Sequence, residues 1–466
     1  MFIVLGRNCG ISIKKQLYDA ISAKILRGEL SEGEKLPSSR ELADSLGIAR
    51  NTVIEIYEQL VAEAYLYTVN GKGTFVSEVP ASTVGKISSE KKITRNFTEK
   101  NDIISFECGI PDLGSFPKKL WFEAVRSSLD RSKNADLGYI NSSGYKPLRD
   151  SLVDYLSRYK GISCSYKQII ITNGTSDAVN LLALLFRKTC GQALVESAAA
   201  SFVADIFKLY DYIIHPVPLD ESGICTHQLP DMNNCLIFVT PSHQFPLGGT
   251  LPINRRQCLC AYAKAHGHYI IEDDYDSEFR YSGAPVNSIF QIAPESVIHI
   301  GTFSKTLAPF LRLGYIVLPE RLVPLASRLQ RKLYRRVNTM DQMAINYLIE
   351  NGKYIKHVNS MCKLYNKKMQ RIVGALNEKF GAGIKILGMN SGLHVTVQFK
   401  GITFNRDSMK VLQRYKVCAE PLSDYMLETS DFCDTMILGF GHLSESEITE
   451  GISRLKEGIS SLGSGN

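Results

Sequence analysis

The feature that most constrains this chain is a series of short apolar runs between residues 169 and 301. They read IIIT (169–172), ALV (193–195), LIFVT (236–240), YIIE (269–272) and VIHIG (297–301), and amphipathic helical stretches such as Ala178–Arg187 and Arg255–Ala265 separate them. Continuous apolar runs of this length, alternating with helices, predict strands buried on both faces of a mostly parallel sheet. Open α/β sheets take their ligands at the carboxyl ends of the strands. Polar residues gather at those ends here.

The run at 297–301 leads into GTFSKTLAPFLRLGY, Gly301 to Tyr315. It brings an amine, Lys305, next to the hydroxyls of Thr302 and Ser304, with Arg312 following. The run at 169–172 leads into NGTSDA, whose Gly174, Thr175 and Ser176 open a helix and offer amides and hydroxyls to a phosphate. The run at 269–272 leads into EDDYDSEF, where Asp273 can hold a pyridine nitrogen protonated and Tyr275 can donate to a ring oxygen. TPSHQFPLG, Thr240 to Gly248, ends a fourth strand. A lone strand-end lysine is ordinarily a solvated residue, and an acidic run is ordinarily a solvated turn or a metal ligand set. Four strand ends carrying groups suited to one phosphorylated pyridine point instead to pyridoxal phosphate (PLP), whose aldehyde condenses with lysine.

The first eighty residues are of another kind. Leu17, Ile21 and Ile25 recur on one helix face, and a Gly- and Pro-punctuated loop follows. Pro37-Ser38-Ser39 opens a second helix with a serine cap, broken at Gly47. A third helix starts near Ala49 and turns Val53, Ile56 or Tyr57, and Leu60 inward. The pattern is a helix-turn-helix. YLYTVNGKGTFV then predicts a hairpin about Asn70-Gly71, a wing with Lys72 and Gly73 at its tip. Nine Lys/Arg against ten Asp/Glu leave residues 1–80 near neutral, although the chain carries +7 overall. Bulk charge therefore gives no support for nucleic-acid binding, and the motif has to carry it.

LPSSRELADSLGIARNTVIEIYEQLVAEAYL resembles the winged helix of the GntR family of bacterial regulators. That resemblance implies Ser39, Arg40, Arg50, Asn51, Thr52, Lys72 and Gly73 as the DNA contacts. Ala64 stands where the family usually has glycine. NGTSDA, TPSHQFP, EDDYDSEF and GTFSKTLAPFLRLGY, in that order, resemble the fold-type I aminotransferase domain of the MocR/GabR subfamily of GntR regulators. With the winged helix, the resemblance spans almost the whole chain. It implies Lys305 as the Schiff-base lysine, Asp273 at the pyridine nitrogen, Tyr275 at the ring hydroxyl, and Gly174, Thr175, Ser176, Thr302, Ser304 and Arg312 around the phosphate.

Two positions depart from that pattern. ESAAASF places Ala200 where an aromatic usually covers the ring, with Phe202 as the nearest substitute. The segment SDFCDTMILGF has Cys433 or a neighbour where a carboxylate-binding arginine is usual, and no arginine lies between Arg414 and Arg454. Losing such a clamp weakens amino-acid binding by ~2–4 kcal/mol. Chemistry at Lys305 is thus expected to be vestigial, with sensing as its main use.

The expected organisation is a GntR-type winged helix over 11–79, a linker over 80–102 (a polar tract without periodicity), and a PLP-binding effector domain over 103–466. RLQRKLYRR from Arg328 and the segment 353–371 are basic, as a solvated face or a site for flanking DNA or an acidic ligand. The eleven scattered cysteines suggest reduced thiols, with no metal site and no disulfide frame. The opening MFIVLGRNCG lacks a basic leader, and no apolar stretch is long enough to span a membrane. The chain is expected to be a cytoplasmic homodimer, arranged head to tail, that binds a double-stranded DNA operator and responds to PLP itself or to an amino compound. A working aminotransferase with an accessory DNA-binding domain is the rival, and a DNA-binding scaffold without cofactor is the third reading.

Overall fold

A computed structural model describes residues 5–6, 12–78, 102–284, 286–333, 337–428 and 432–463. The tract read as a linker lies, apart from Asp102, outside these residues, as does the end of the basic run that starts at Arg328. Two compact units separate between Lys100 and Asn101.

In the first unit, α1 (Ile13–Leu26), α2 (Ser39–Leu46) and α3 (Arg50–Ala62) close around Leu17, Ile21, Leu42, Val53 and Leu60, all buried. Both Ile56 and Tyr57 turn inward, and the Tyr57 hydroxyl donates to the Pro37 carbonyl at 2.9 Å. Helix α2 begins because Ser38 accepts from the Glu41 amide (3.2 Å) while Glu41 accepts from the Ser38 amide (2.8 Å). This reciprocal cap contributes ~1 kcal/mol. Helix α2 ends at Gly47 in the left-handed region, φ 62°. The wing is β1 (Leu66–Val69) paired antiparallel with β2 (Gly73–Val76). Ala64 follows α3 with φ 59°, a conformation that favours glycine.

In the second unit a seven-stranded sheet is formed by β3 (Ile169–Thr172), β4 (Gln192–Glu196), β5 (Ile213–Val217), β6 (Leu236–Val239), β7 (Tyr269–Asp274), β8 (Val297–Thr302) and β9 (Gly314–Val317). Their spatial order is β3-β9-β8-β7-β6-β4-β5. The pairings among β8, β7, β6, β4 and β5 are parallel, and only β9 runs antiparallel to its neighbours β8 and β3. One apolar core lies on each face of the sheet. Helix α4 (Thr175–Phe186) leaves the end of β3. A smaller antiparallel sheet, β10 (Ile384–Leu387), β11 (His394–Phe399), β12 (Glu420–Pro421) and β13 (Thr435–Gly439), packs with helices α5 (Lys353–Phe380) and α6 (Glu445–Gly463) around a third core.

Gly301 shows why β8 and β9 fit. Its partner across the ladder is Tyr315, and a Cβ at 301 would lie 2.2 Å from the tyrosine ring. No helix among the described residues is long and apolar enough to cross a membrane.

Candidate cofactor site and nucleic-acid interface

A cavity of ≈ 420 Å³ opens at the carboxyl ends of these strands, and every cofactor residue named from the sequence lines it: Gly174, Thr175, Ser176, Asp273, Tyr275, Thr302, Ser304, Lys305 and Arg312. Each is placed by a local cause. Gly174 has φ 86° at the start of α4, and no side chain caps that helix. Its first amides are left open beside the hydroxyls of Thr175 and Ser176. Thr302 closes β8, and its hydroxyl lies 3.1 Å from that of Ser304. Arg312 sits in the left-handed region, φ 45°, and its guanidinium has no hydrogen-bond or ion-pair partner among the described residues. A strained non-glycine backbone that holds an unpaired cation at a cavity is a functional signature.

The acidic run is not a solvated turn: Glu272, Asp273, Asp274 and Asp276 are all buried, and the Asp276 carboxylate lies with His243 and His394 in a cluster whose ligand atoms are within 4.8 Å of one another. Glu272 is buried and accepts from the Ile289 amide at 3.0 Å, with His299 at 3.3 Å. Asp274 and Glu278 both pair with buried Lys160 at 2.8 Å. Burial opposes ionisation of Asp274, but Lys160 overrides it and keeps the carboxyl low. These anchors turn the intervening Asp273 toward the cavity. Its Oδ1 is buried without a hydrogen-bond partner. Burial, then the Asp274 charge, pushes its pKa up to about 8, while Lys305 and Thr175 pull the other way. An orphaned buried carboxylate seeks a proton donor, and a pyridinium nitrogen is one. The Tyr275 hydroxyl lies 2.9 Å from His243 Nδ1, which in turn meets Asp276 Oδ1 at 3.0 Å.

Lys305 donates to the Gly109 carbonyl. Burial lowers its pKa, against the pull of Asp276 and Asp273, so the neutral amine is more accessible than on a surface lysine. Anion donors, an orphaned carboxylate and a desolvated amine together fit the phosphate, ring nitrogen and aldehyde of PLP.

Sequence reading missed three groups in the cavity wall: Phe245, His394 and Tyr425. Phe245 packs edge-on to Tyr425, with ring centroids 5.1 Å apart. Ala200 and Phe202 do line the cavity, so the aromatic surface there comes from Phe202, Phe245 and Tyr425. His394 stands mid-chain in SGLHVTVQF, and no local motif marks it. Cys433 is exposed and is not among the lining residues. All of β13, Thr435–Gly439, is buried, and Ile437 on it packs with Ala198, Leu247 and Leu422.

On the first unit, Arg40, Arg50, Asn51 and Lys72 are exposed, and Ser39, Thr52 and Gly73 are half-buried. Arg50 Nε donates to Ser39 Oγ at 3.3 Å, which joins the starts of α2 and α3. Ser39, Lys72 and Gly73 line one depression, together with Lys35. Lys35 was not anticipated. A Cβ on Gly73 would lie 2.9 Å from its side chain, so this exposed lysine adds a second cation at the wing.

Residues 13–76 match the model of the bacterial regulatory proteins of the gntR family, and residues 101–432 match that of aminotransferase class I and II. Over 97% of its length the chain is 33% identical to an uncharacterized HTH-type transcriptional regulator, YdeL of Bacillus subtilis, covering 98% of that protein. The probable rhizopine catabolism regulatory protein MocR of Rhizobium meliloti is 28% identical over 99% of this chain and 96% of its own. This chain belongs to the MocR subfamily of GntR regulators.

Other relatives of this MocR-type regulator point the same way. The pyridoxine biosynthesis transcriptional regulator PdxR of Corynebacterium glutamicum is 31% identical over 85% of each chain. Among solved structures, a multiple substrate aminotransferase from Thermococcus profundus superposes with a TM-score of 0.73 at 26% identity, covering 78% of this chain and 93% of that one. The regulator therefore joins a DNA-binding winged helix to a fold-type I domain whose cofactor is PLP.

Proposed function

We propose that this regulator holds PLP through Lys305 and uses the loaded domain to sense a small molecule, either an amino compound or PLP itself, with little or no turnover. Bound PLP supplies an aldehyde that condenses with amines and a ring that withdraws electrons. The chain's residues do the rest. Thr175, Ser176, Thr302, Ser304 and Arg312 hold the phosphate, Arg312 by a charge-assisted bond. Asp273 keeps the ring nitrogen protonated, and Tyr275, oriented by His243, meets the ring hydroxyl. A ligand amine would compete with Lys305 for the aldehyde, and the freed Lys305 side chain would be the change passed to the DNA-binding heads.

The observation that carries this reading is the pairing of a complete cofactor set with a cavity in which the described cations are only Lys305 and Arg312. Both have cofactor roles, and none is left to clamp a substrate carboxylate. A head-to-tail homodimer in the cytoplasm completes the proposal. Exposed Phe122, Leu129, Leu137, Tyr139 and Phe310 offer apolar surface for a second copy, and two half-sites on DNA suit a dimer. Arg40, Arg50, Asn51, Thr52, Lys72 and Gly73 would make the DNA contacts.

Two measurements test the reading. Protein reconstituted with PLP should absorb near ~420 nm, and Lys305→Ala should lose that band. A gel shift against the upstream intergenic DNA should change on adding PLP or amines. Absence of the band would sink the proposal. The fit to the Thermococcus enzyme keeps a working aminotransferase as the second reading. Steady turnover of an amino donor with a keto acid would favour it.

A further inference from the structure

The wall of the cavity away from the phosphate groups is largely apolar, and three of its polar groups, on Tyr425, His394 and Gly109, present acceptors. Tyr425 lines the cavity, and its hydroxyl donates to Glu420 Oε2 at 2.7 Å. With that proton committed, the phenol oxygen has only lone pairs to offer a ligand. The Cys108 amide is committed to the same carboxylate at 3.3 Å. His394 lies 3.0 Å from the Pro246 carbonyl through Nε2. A carbonyl can only accept, so Nε2 carries the hydrogen and Nδ1 is bare. Burial, reinforced by neighbouring His243, lowers the His394 pKa to about 3, so the ring is neutral. The Gly109 carbonyl accepts from Lys305.

Glu420 stands behind this wall, outside the lining residues, where it accepts from the Tyr425 hydroxyl and the Cys108 amide. It sits on β12 directly across from Ile437 of β13. An acidic side chain and an aliphatic one therefore sit opposite each other, the aliphatic one on the strand that lies within the segment lacking an arginine. The rings of Phe245 and Tyr425, centroids 5.1 Å apart, add π faces, which attract cations and repel anions.

We infer that the amino compound taken by this site is a primary amine without a carboxylate, bearing an ammonium or hydroxyl group at its far end, as in a diamine or an amino alcohol. One amine would take the place of Lys305 at the cofactor, and the second polar group would donate near Glu420, an ammonium to both Tyr425 and His394 and a hydroxyl to one of them. A ligand carboxylate would meet acceptors and a like charge. The inference rests on the cofactor reading above.

The test uses the full chain loaded with PLP and titration calorimetry with a four-carbon series: 1,4-diaminobutane, 4-aminobutan-1-ol, butylamine and 4-aminobutanoate, with L-alanine added. The diamine and the amino alcohol should bind at least about tenfold tighter than 4-aminobutanoate or alanine, the scale of one charged hydrogen bond. Glu420→Gln should cut the preference for the diamine over the amino alcohol by about tenfold. Tyr425→Phe, which keeps the ring against Phe245, should weaken both and serves if Glu420→Gln fails to fold. Equal or tighter binding of 4-aminobutanoate or alanine, or no binding by any amine, overturns the inference while the Lys305-dependent band stands. Loss of that band from the wild-type chain overturns the cofactor reading and this inference with it.

Discussion

The two units carry their functional side chains on opposite sides of the boundary with water. In the winged helix, Arg40, Arg50, Asn51 and Lys72 stand in solvent over a small core that makes no use of them. In the large unit, Asp273 and Thr302 are buried, and the Asp273 carboxyl is displaced far from its ordinary pKa. Exposed groups add binding energy without altering the fold, and salt weakens them. Buried groups gain strength from the low dielectric but strain the empty fold. Substitutions should therefore separate function from stability in the head and set them against each other in the cavity.

The largest effect expected is from Asp273→Asn. PLP affinity should fall by about a hundredfold, or ~3 kcal/mol, read by spectroscopic titration. The thermal midpoint of the cofactor-free chain at pH 8 should hold or rise, since the substitution removes a buried carboxylate. A parallel loss of both would break the contrast.

Next comes pH. Burial raises the Glu196 carboxyl from 4.5 to about 7, although Thr240 and Gln244 donate to it. Between those values the folded chain keeps a proton that the unfolded chain has released. This contribution is full below pH 4.5 and is lost as pH rises toward 7. Glu196→Gln, which cannot ionise, should gain ~2–3 kcal/mol relative to wild type between pH 4.5 and 8, measured by denaturant titration.

In the head, Arg50→Ala should cost ~1–3 kcal/mol of operator affinity and lower the salt slope by about 1 if Arg50 meets a phosphate. The thermal midpoint should not move. A drop in stability of similar size would place Arg50 in the fold of the head, through its bond to Ser39. The smallest effect is from Ala64→Gly, which should stabilise the winged helix by ~1 kcal/mol, because alanine at φ 59° crowds its own carbonyl. An unchanged midpoint would mean that glycine's greater freedom in the unfolded chain cancels the relief.

Much of this arrangement was legible in the sequence where chemistry is local. A serine cap, a glycine at a strand end or a lysine after an apolar run carries its reason within a few residues. Strands β5 and β9 escaped that reading. IIHPV sits at the sheet edge with a proline and an exposed first residue, and GYIV is only four residues long. Phe245, His394 and Tyr425 escaped because their role comes from convergence. They stand on a loop, on β11 and after β12, and no spacing in the chain announces that they share a wall. Lys35 likewise meets Gly73 only once the wing folds back. Strand register, which no local motif shows, sets Ile437 across from Glu420, while Cys433 is exposed and outside the cavity lining.

Lys305 and Arg312 lie on one loop whose two ends are bonded to each other, since Thr302 pairs with Gly314. The amine and the guanidinium are thus held apart by a fixed length of chain, and Tyr315 locks against Gly301 just beyond. This loop should tolerate substitutions and reject changes of length. Inserting or deleting one residue between Phe303 and Leu313 would leave every side chain of the set in place in the sequence and still separate the amine from the anion site.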